Sequence, residues 1–168
     1  ALVGFISAGT GAVLRTLQSR LRESVSVLDF GADPTGATDS TAAFQAALDL
    51  AGTVSAIRRV FVPSGAYLLS RIYVPAGVVL EGEAITETTA RTGTKFIQGA
   101  DGDVIRFIPQ NTGGKNYWFG AIRRLAIFGD TSFASGWGIS FRDSADATVS
   151  MQDLSCLEDL IIRRCPSG

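Results

Sequence analysis

Two pairs of acidic residues have the spacing that glycoside hydrolysis asks for. Glu81 and Glu83 are separated by one residue, so in an extended strand both carboxylates leave the same side, and Asp101 and Asp103 repeat the arrangement. Breaking a glycosidic bond takes one carboxyl group as acid and a second as base or nucleophile, about 5 to 9.5 Å apart depending on stereochemistry. Each pair also flanks a glycine, Gly82 or Gly102, where acidic side chains commonly serve the backbone of a turn. The four carboxylates therefore stand as candidates, and no catalytic residue is assigned. A nucleophilic triad of the usual kind is excluded, because the chain has 0 histidines.

Tyr117, Trp118 and Phe119 form a run of large aromatics, with Phe133 and Trp137 further on. Such faces stack on sugar rings and also anchor subunit contacts, and in a strand at least one of three consecutive side chains points outward. Tyr117, Trp118 and Trp137 are thus candidates for saccharide or subunit contact. No metal site is expected, since the 2 cysteines, Cys156 and Cys165, are too far apart for a ligand pair and read as reduced thiols. The turn from Asp29 to Asp33 lacks the ligand spacing of an EF-hand. GTGAV at 9–13 has neither a preceding strand nor the G-K-[ST] of a phosphate loop, so no cofactor is expected.

A net charge of −1 argues against a nucleic-acid partner, and the short basic group Arg15, Arg20 and Arg22 reads as the wet face of a helix. No stretch reaches the roughly 18 to 20 apolar residues of a membrane span. The apolar start ALVGFISAGTGAV lacks the basic n-region of a signal peptide.

The elements that would position these groups fall into three zones. Residues 1–11 read as an extended arm rich in glycine. Val13, Leu14, Leu17 and Leu21 then recur at helical spacing, which predicts a short helix from about Gly11 to Glu23 with one apolar face for its own domain or for copies of itself. SVSVLDF at 24–30 alternates like a strand. A polar turn, DFGADPTGATD, leads into a second helix over 40–51, with Asp39 or Ser40 as N-cap, an apolar stripe of Ala43, Phe44, Ala47, Leu48 and Ala51, and Gly52 as the stop.

After that helix the period changes to two. Strands are expected at 59–62, 66–70, 72–74, 78–80, 94–98, 104–109, 121–128, 137–141 and 157–163, with 85–93 as an exposed loop. V-P-x-G occurs at Val62 to Gly65 and again at Val74 to Gly77, the mark of brief strands joined by tight corners. No helical pattern separates the strands, which excludes a doubly wound α/β sheet. A parallel β-helix and an antiparallel sandwich remain, and the sandwich would favour hairpin turns of which Asp101-Gly102 is one instance. A stack of strands stopping at CPSG would leave an open end, so the gene product is expected to continue, or another chain to cover it.

DFGA, then a turn, then TDSTAAFQAAL, resembles the opening segment of the pectate-lyase-like β-helices of bacteriophage tailspikes. GAVLRTLQSRLRESVSVLDFGA is similar to the segment joining the virion-binding end of such spikes to their β-helix, and VPSGAYLLS and VPAGVVLEGE serve as first strand motifs. The resemblance covers roughly residues 9–82. It implies a mainly β chain: a right-handed, single-stranded parallel β-helix with an N-terminal capping α-helix, preceded by an extended arm and a short α-helix. Residues 1–28 would be a virion-attachment arm and trimerising helix, with Val13, Leu14, Leu17 and Leu21 at the trimer or tail contact. Residues 29–168 would be the capping helix and first coils, with Asp39, Phe44, Ala47 and Leu48 as the cap.

The partners implied are two further copies in a homotrimer, a phage tail or baseplate protein, and bacterial surface polysaccharide for the full spike. The implied location is the virion tail after assembly in the host cytoplasm. The alternatives are a pectate-lyase-like or glycosidase-like depolymerase with its groove inside this chain, and a bacterial extracellular polysaccharide-binding module.

Overall fold

The computed structural model describes residues 3–54, 57–85, 93–107, 110–112, 115–117, 120–134, 136, 138–140 and 155–164. The arm contains β1 (Gly4–Phe5) and β2 (Arg15–Thr16), which pair antiparallel, followed by α1 (Leu17–Leu21). The predicted helix over 11–23 is thus only its last part. Gly11 at φ +84° turns the chain, and Thr16 caps the helix by accepting from the Ser19 amide at 3.0 Å, so Val13 and Leu14 lie outside it.

The expected strand over 24–30 is also shorter. β3 (Val25–Ser26) gives way to a 3-10 turn at Val27–Phe30, because Ser26 and Asp29 form a reciprocal capping box that competes with the ladder. The polar turn hides a further strand, β4 (Thr35–Asp39), and then α2 (Thr41–Thr53) begins. Three strands make the first complete coil: β5 (Arg59–Val62), β6 (Gly65–Leu69) and β7 (Ile72–Val74). The second coil is β8 (Val78–Gly82), β9 (Thr94–Gln98) and β10 (Ile105–Phe107), followed by an antiparallel hairpin, β11 (Gln110–Thr112) with β12 (Lys115–Tyr117). β13 (Gly120–Phe128), β14 (Ile139–Ser140) and β15 (Ser155–Arg163) carry the stack on.

Pairing between coils is parallel throughout. One face runs β3, β5, β8, β13, β15; a second runs β4, β6, β9, β13, β15; the third runs β7, β10, β14. β13 and β15 each serve two faces by bending at a single left-handed residue, Arg124 at φ 54° and Asp159 at φ 52°. This is a parallel β-helix, and the sandwich is ruled out. The two V-P-x-G motifs are two different corners of the same coil, while the coil itself repeats from Val60 to Leu80.

The interior is built of side-chain ladders. Val60, Leu80 and Ile122 stack at 0% exposure in register, as do Tyr67, Phe96 and Ile127. On α2 the stripe of Phe44, Ala47, Leu48 and Ala51 is likewise fully buried. Phe44 meets Tyr67 and Phe96 edge-on, at centroid distances of 5.2 and 5.3 Å. Each such side chain contributes about 1.5 to 3 kcal/mol by leaving water.

The helix also treats the backbone of the layer it covers. β7 has no strand on its outer side, and the Gln45 amide takes that place: Oε1 accepts from the Tyr73 N–H at 2.9 Å and Nε2 donates to the Tyr73 carbonyl at 3.2 Å. Thr41 Oγ1 accepts from the Ser70 amide at 2.8 Å. Ser40 occupies the N-cap position with its hydroxyl accepting from the Asp33 amide, and it is Asp39 that accepts from a free amide of the first turn, that of Thr41, at 2.7 Å. Gly52 lies within α2 and does not stop it. A Cβ there would sit 2.9 Å from the Pro75 ring, which is why the position is glycine.

Candidate functional site

The carboxylate pairs come from β-helix corners, and their partners explain why they are acidic. Glu81, the penultimate residue of β8, has its side chain 12% exposed and is ion-paired to Arg59 of the coil below and Arg124 of the coil above. Arg123 reaches the other way and lies 3.2 Å from Glu158, in an ion pair not aligned as a hydrogen bond. The result is a line of alternating charge across four coils. Glu83, exposed, accepts from the Ser64 amide at 2.8 Å and so closes the corner of the preceding coil.

Asp103 is 5% exposed and accepts from Ser140 Oγ at 2.7 Å and Arg106 at 2.8 Å, tying β10 to β14. Asp101 is exposed in the turn that Gly102 makes at φ +108°. In the first pair each carboxylate has separate work in the backbone or in an ion pair. In the second, Asp103 is buried where a saccharide would not reach it. Hydrolysis needs two carboxylates facing one bond, whereas Glu81, Glu83 and Asp103 each hold a partner of their own.

Other acidic groups are tuned by turns. Hydrogen bonds from the hydroxyls and amides of Thr35 and Thr38 hold the Asp33 carboxyl well below the usual carboxylate range. Asp39 is also lowered: burial opposes the shift, and the bonds from Thr41 and Ser70 outweigh it. Tyr67 is pushed up to about 12 by burial and by the nearby Glu83 charge, and its hydroxyl donates to the Pro63 carbonyl at 3.0 Å. Among the described residues, no three thiols or carboxylates converge to hold a metal ion, and no helix is long and apolar enough to cross a membrane.

Trp118, Trp137 and Phe119 lie outside the described residues, as do Cys165 and residues 86–92 of the expected loop. The backbone of Tyr117 ends β12, opposite Gln110.

The N-terminal candidates are strongly exposed: Val13 69%, Leu14 74% and Leu21 67%, with Leu17 at 37%. Leu17 and Leu21 line a cleft of about 860 Å³ between α1 and the C-terminal end of α2, together with Val3, Val25, Phe30, Leu50, Val54 and Ile57. Sequence periodicity missed this cleft, because Phe30 sits on the 3-10 turn read as a strand and Leu50 lies at the edge of the α2 stripe.

Among known proteins, the tail spike protein of Shigella phage Sf6 is 29% identical over 114 residues, which cover 62% of this chain and 18% of that one. The chain therefore spans less than a fifth of that relative's length. The A-module of the Azotobacter vinelandii mannuronan C-5 epimerase AlgE4 superimposes with a TM-score of 0.58 at 23% identity, over 82% of this chain and 38% of the module. Tailspike protein 3 of bacteriophage CBA120 gives 0.56 at 22% identity, over 80% and 22%. These likenesses are of fold, and the last is to a phage tailspike. Residues 24–152, from β3 past β14, match the rhamnogalacturonase A/epimerase, pectate lyase-like family, and the chain belongs to it.

Proposed function

We propose that this chain is the virion-proximal part of a phage tailspike, in which residues 1–28 attach the spike to the tail and start a homotrimer, and residues 29–168 open the β-helix. The complete spike binds bacterial surface polysaccharide and degrades it. The likeness to the Shigella phage tail spike carries the reading. It is supported by the exposed apolar surface of the arm and α1, which a free monomer has no reason to display.

A depolymerase with its groove inside this chain is the second reading, and membership of the rhamnogalacturonase A/epimerase, pectate lyase-like family favours it. Against it stand Glu81, Glu83 and Asp103, each engaged in a corner or an ion pair. Light scattering on the purified chain tests the first reading: a trimer is expected, and a monomer with residues 1–23 intact removes it. Incubation with capsular polysaccharide or lipopolysaccharide tests the second. New reducing ends or unsaturated uronates, surviving in Glu81→Gln and Asp103→Asn, would place an active groove in this chain on other residues.

A further inference from the structure

We infer that the cleft between α1 and α2 is the socket for the Val13–Leu14 segment of a second copy of this chain, so that copies join head to tail through unlike patches. The inference rests on the proposed assembly role of residues 1–28 and says which surfaces meet.

Socket and plug are both on the page. The socket is the cleft of about 860 Å³ whose apolar wall includes Leu17, Leu21, Phe30 and Val54, with Arg22 and Asp29 also lining it. The plug is the pair Val13 and Leu14, the two most exposed large apolar side chains among the described residues, at 69% and 74%. Neither lines the cleft of its own chain. Gly9 and Gly11, at φ +134° and +84°, turn the chain just before them, and Leu14 lies against Gly4 of β1, 3.1 Å from where a Cβ would stand. The pair is thus presented on a short hairpin instead of being folded inward.

Exposed apolar surface argues for a second copy. Val3, Phe5, Ile6, Val13, Leu14, Leu17 and Leu21 are each 36% to 74% exposed, and Phe30 and Val54 carry exposed apolar surface into the cleft. Seven large apolar side chains exposed within residues 3–21 are more than the singly scattered ones of an ordinary monomer surface. A head-to-tail contact covers the plug of one copy and the socket of the next, so every contact takes both apolar sets out of water at once. A contact between unlike patches closes into a ring when its rotation allows, and a ring leaves no socket empty.

The test uses the whole chain, with circular dichroism to confirm folding. Leu14→Asp spoils the plug; Leu21→Asp, with Val54→Asp as a second choice, spoils the socket. All three positions are exposed enough for the fold to accept them. Light scattering should show a finite oligomer for the unmodified chain and a monomer for each variant, with dissociation shifted at least about tenfold in concentration. An equimolar mixture of Leu14→Asp and Leu21→Asp should then give a one-to-one dimer, since one intact plug meets one intact socket. A mixture that stays monomeric, or variants that keep the oligomer, overturn the plug and socket while leaving assembly through residues 1–28 standing. An unmodified chain that is monomeric removes both.

Discussion

Glu81 shows how a side chain with catalytic credentials can be structural. Its partners, Arg59 and Arg124, come from the coils below and above, so the ion pairs stitch three coils at one corner. Removing the carboxylate would leave two guanidinium groups facing each other. Glu81→Gln should cost about 1 to 2 kcal/mol in urea unfolding, toward the low end because both arginines are nearly half exposed. Gly82 beside it has no room for a side chain: a Cβ would stand 2.2 Å from the Arg124 carbonyl oxygen and 2.9 Å from Thr94 Cβ. Gly82→Ala should therefore cost about 3 kcal/mol or more, measured the same way.

Asp33 makes a prediction about pH. Its carboxyl is lowered by its threonine partners, so the stability it contributes is complete above the ordinary carboxylate value of about 4 and is lost as pH falls toward the folded value. Asp33→Asn should lose part of the fall in urea midpoint between about pH 5 and pH 3, with Asp39 and Asp130, both also lowered, supplying the remainder.

Among the elements, α2 was the most legible in sequence, since Phe44, Ala47, Leu48 and Ala51 recur at the helical period and all four are buried. Phe44→Ala should cost about 3 to 5 kcal/mol. β4 was not legible, because TGATD has Ala37 as its one apolar residue and so no alternation to read. α1 was over-read, because apolar spacing from Val13 to Leu21 cannot register a hairpin turning at Gly11. The edge role of Gln45 was invisible for another reason: its partner, Tyr73, lies 28 residues away. Gln45→Leu should keep the helix but cost about 1 to 3 kcal/mol and open the edge of β7, seen as concentration-dependent light scattering at neutral pH. The carboxylates were legible as pairs and opaque as to role, since spacing along one strand says nothing of which arginine a neighbouring coil supplies.

At the scale of the whole molecule, each coil pairs its strands with the coils directly before and after it, and energy is distributed accordingly. Ile122, at 0% exposure, has neighbours on both sides of its ladder, whereas Leu157 in the last described layer is 46% exposed. Ile122→Ala should cost about 2 to 5 kcal/mol and Leu157→Ala far less, a gradient that hydrogen exchange would show as protection rising inward from β15.

The corners behave differently from the layers. One face passes to the next by Pro63 and Ser64 in the first coil, by a longer stretch from Glu83 to Gly93 in the second, and by Arg124 alone in the third, while the interior register is unchanged. Loop length is thereby uncoupled from the stack. A corner can therefore lengthen or change its sequence, and so alter the lateral surface of the stack, while the ladders inside keep their partners.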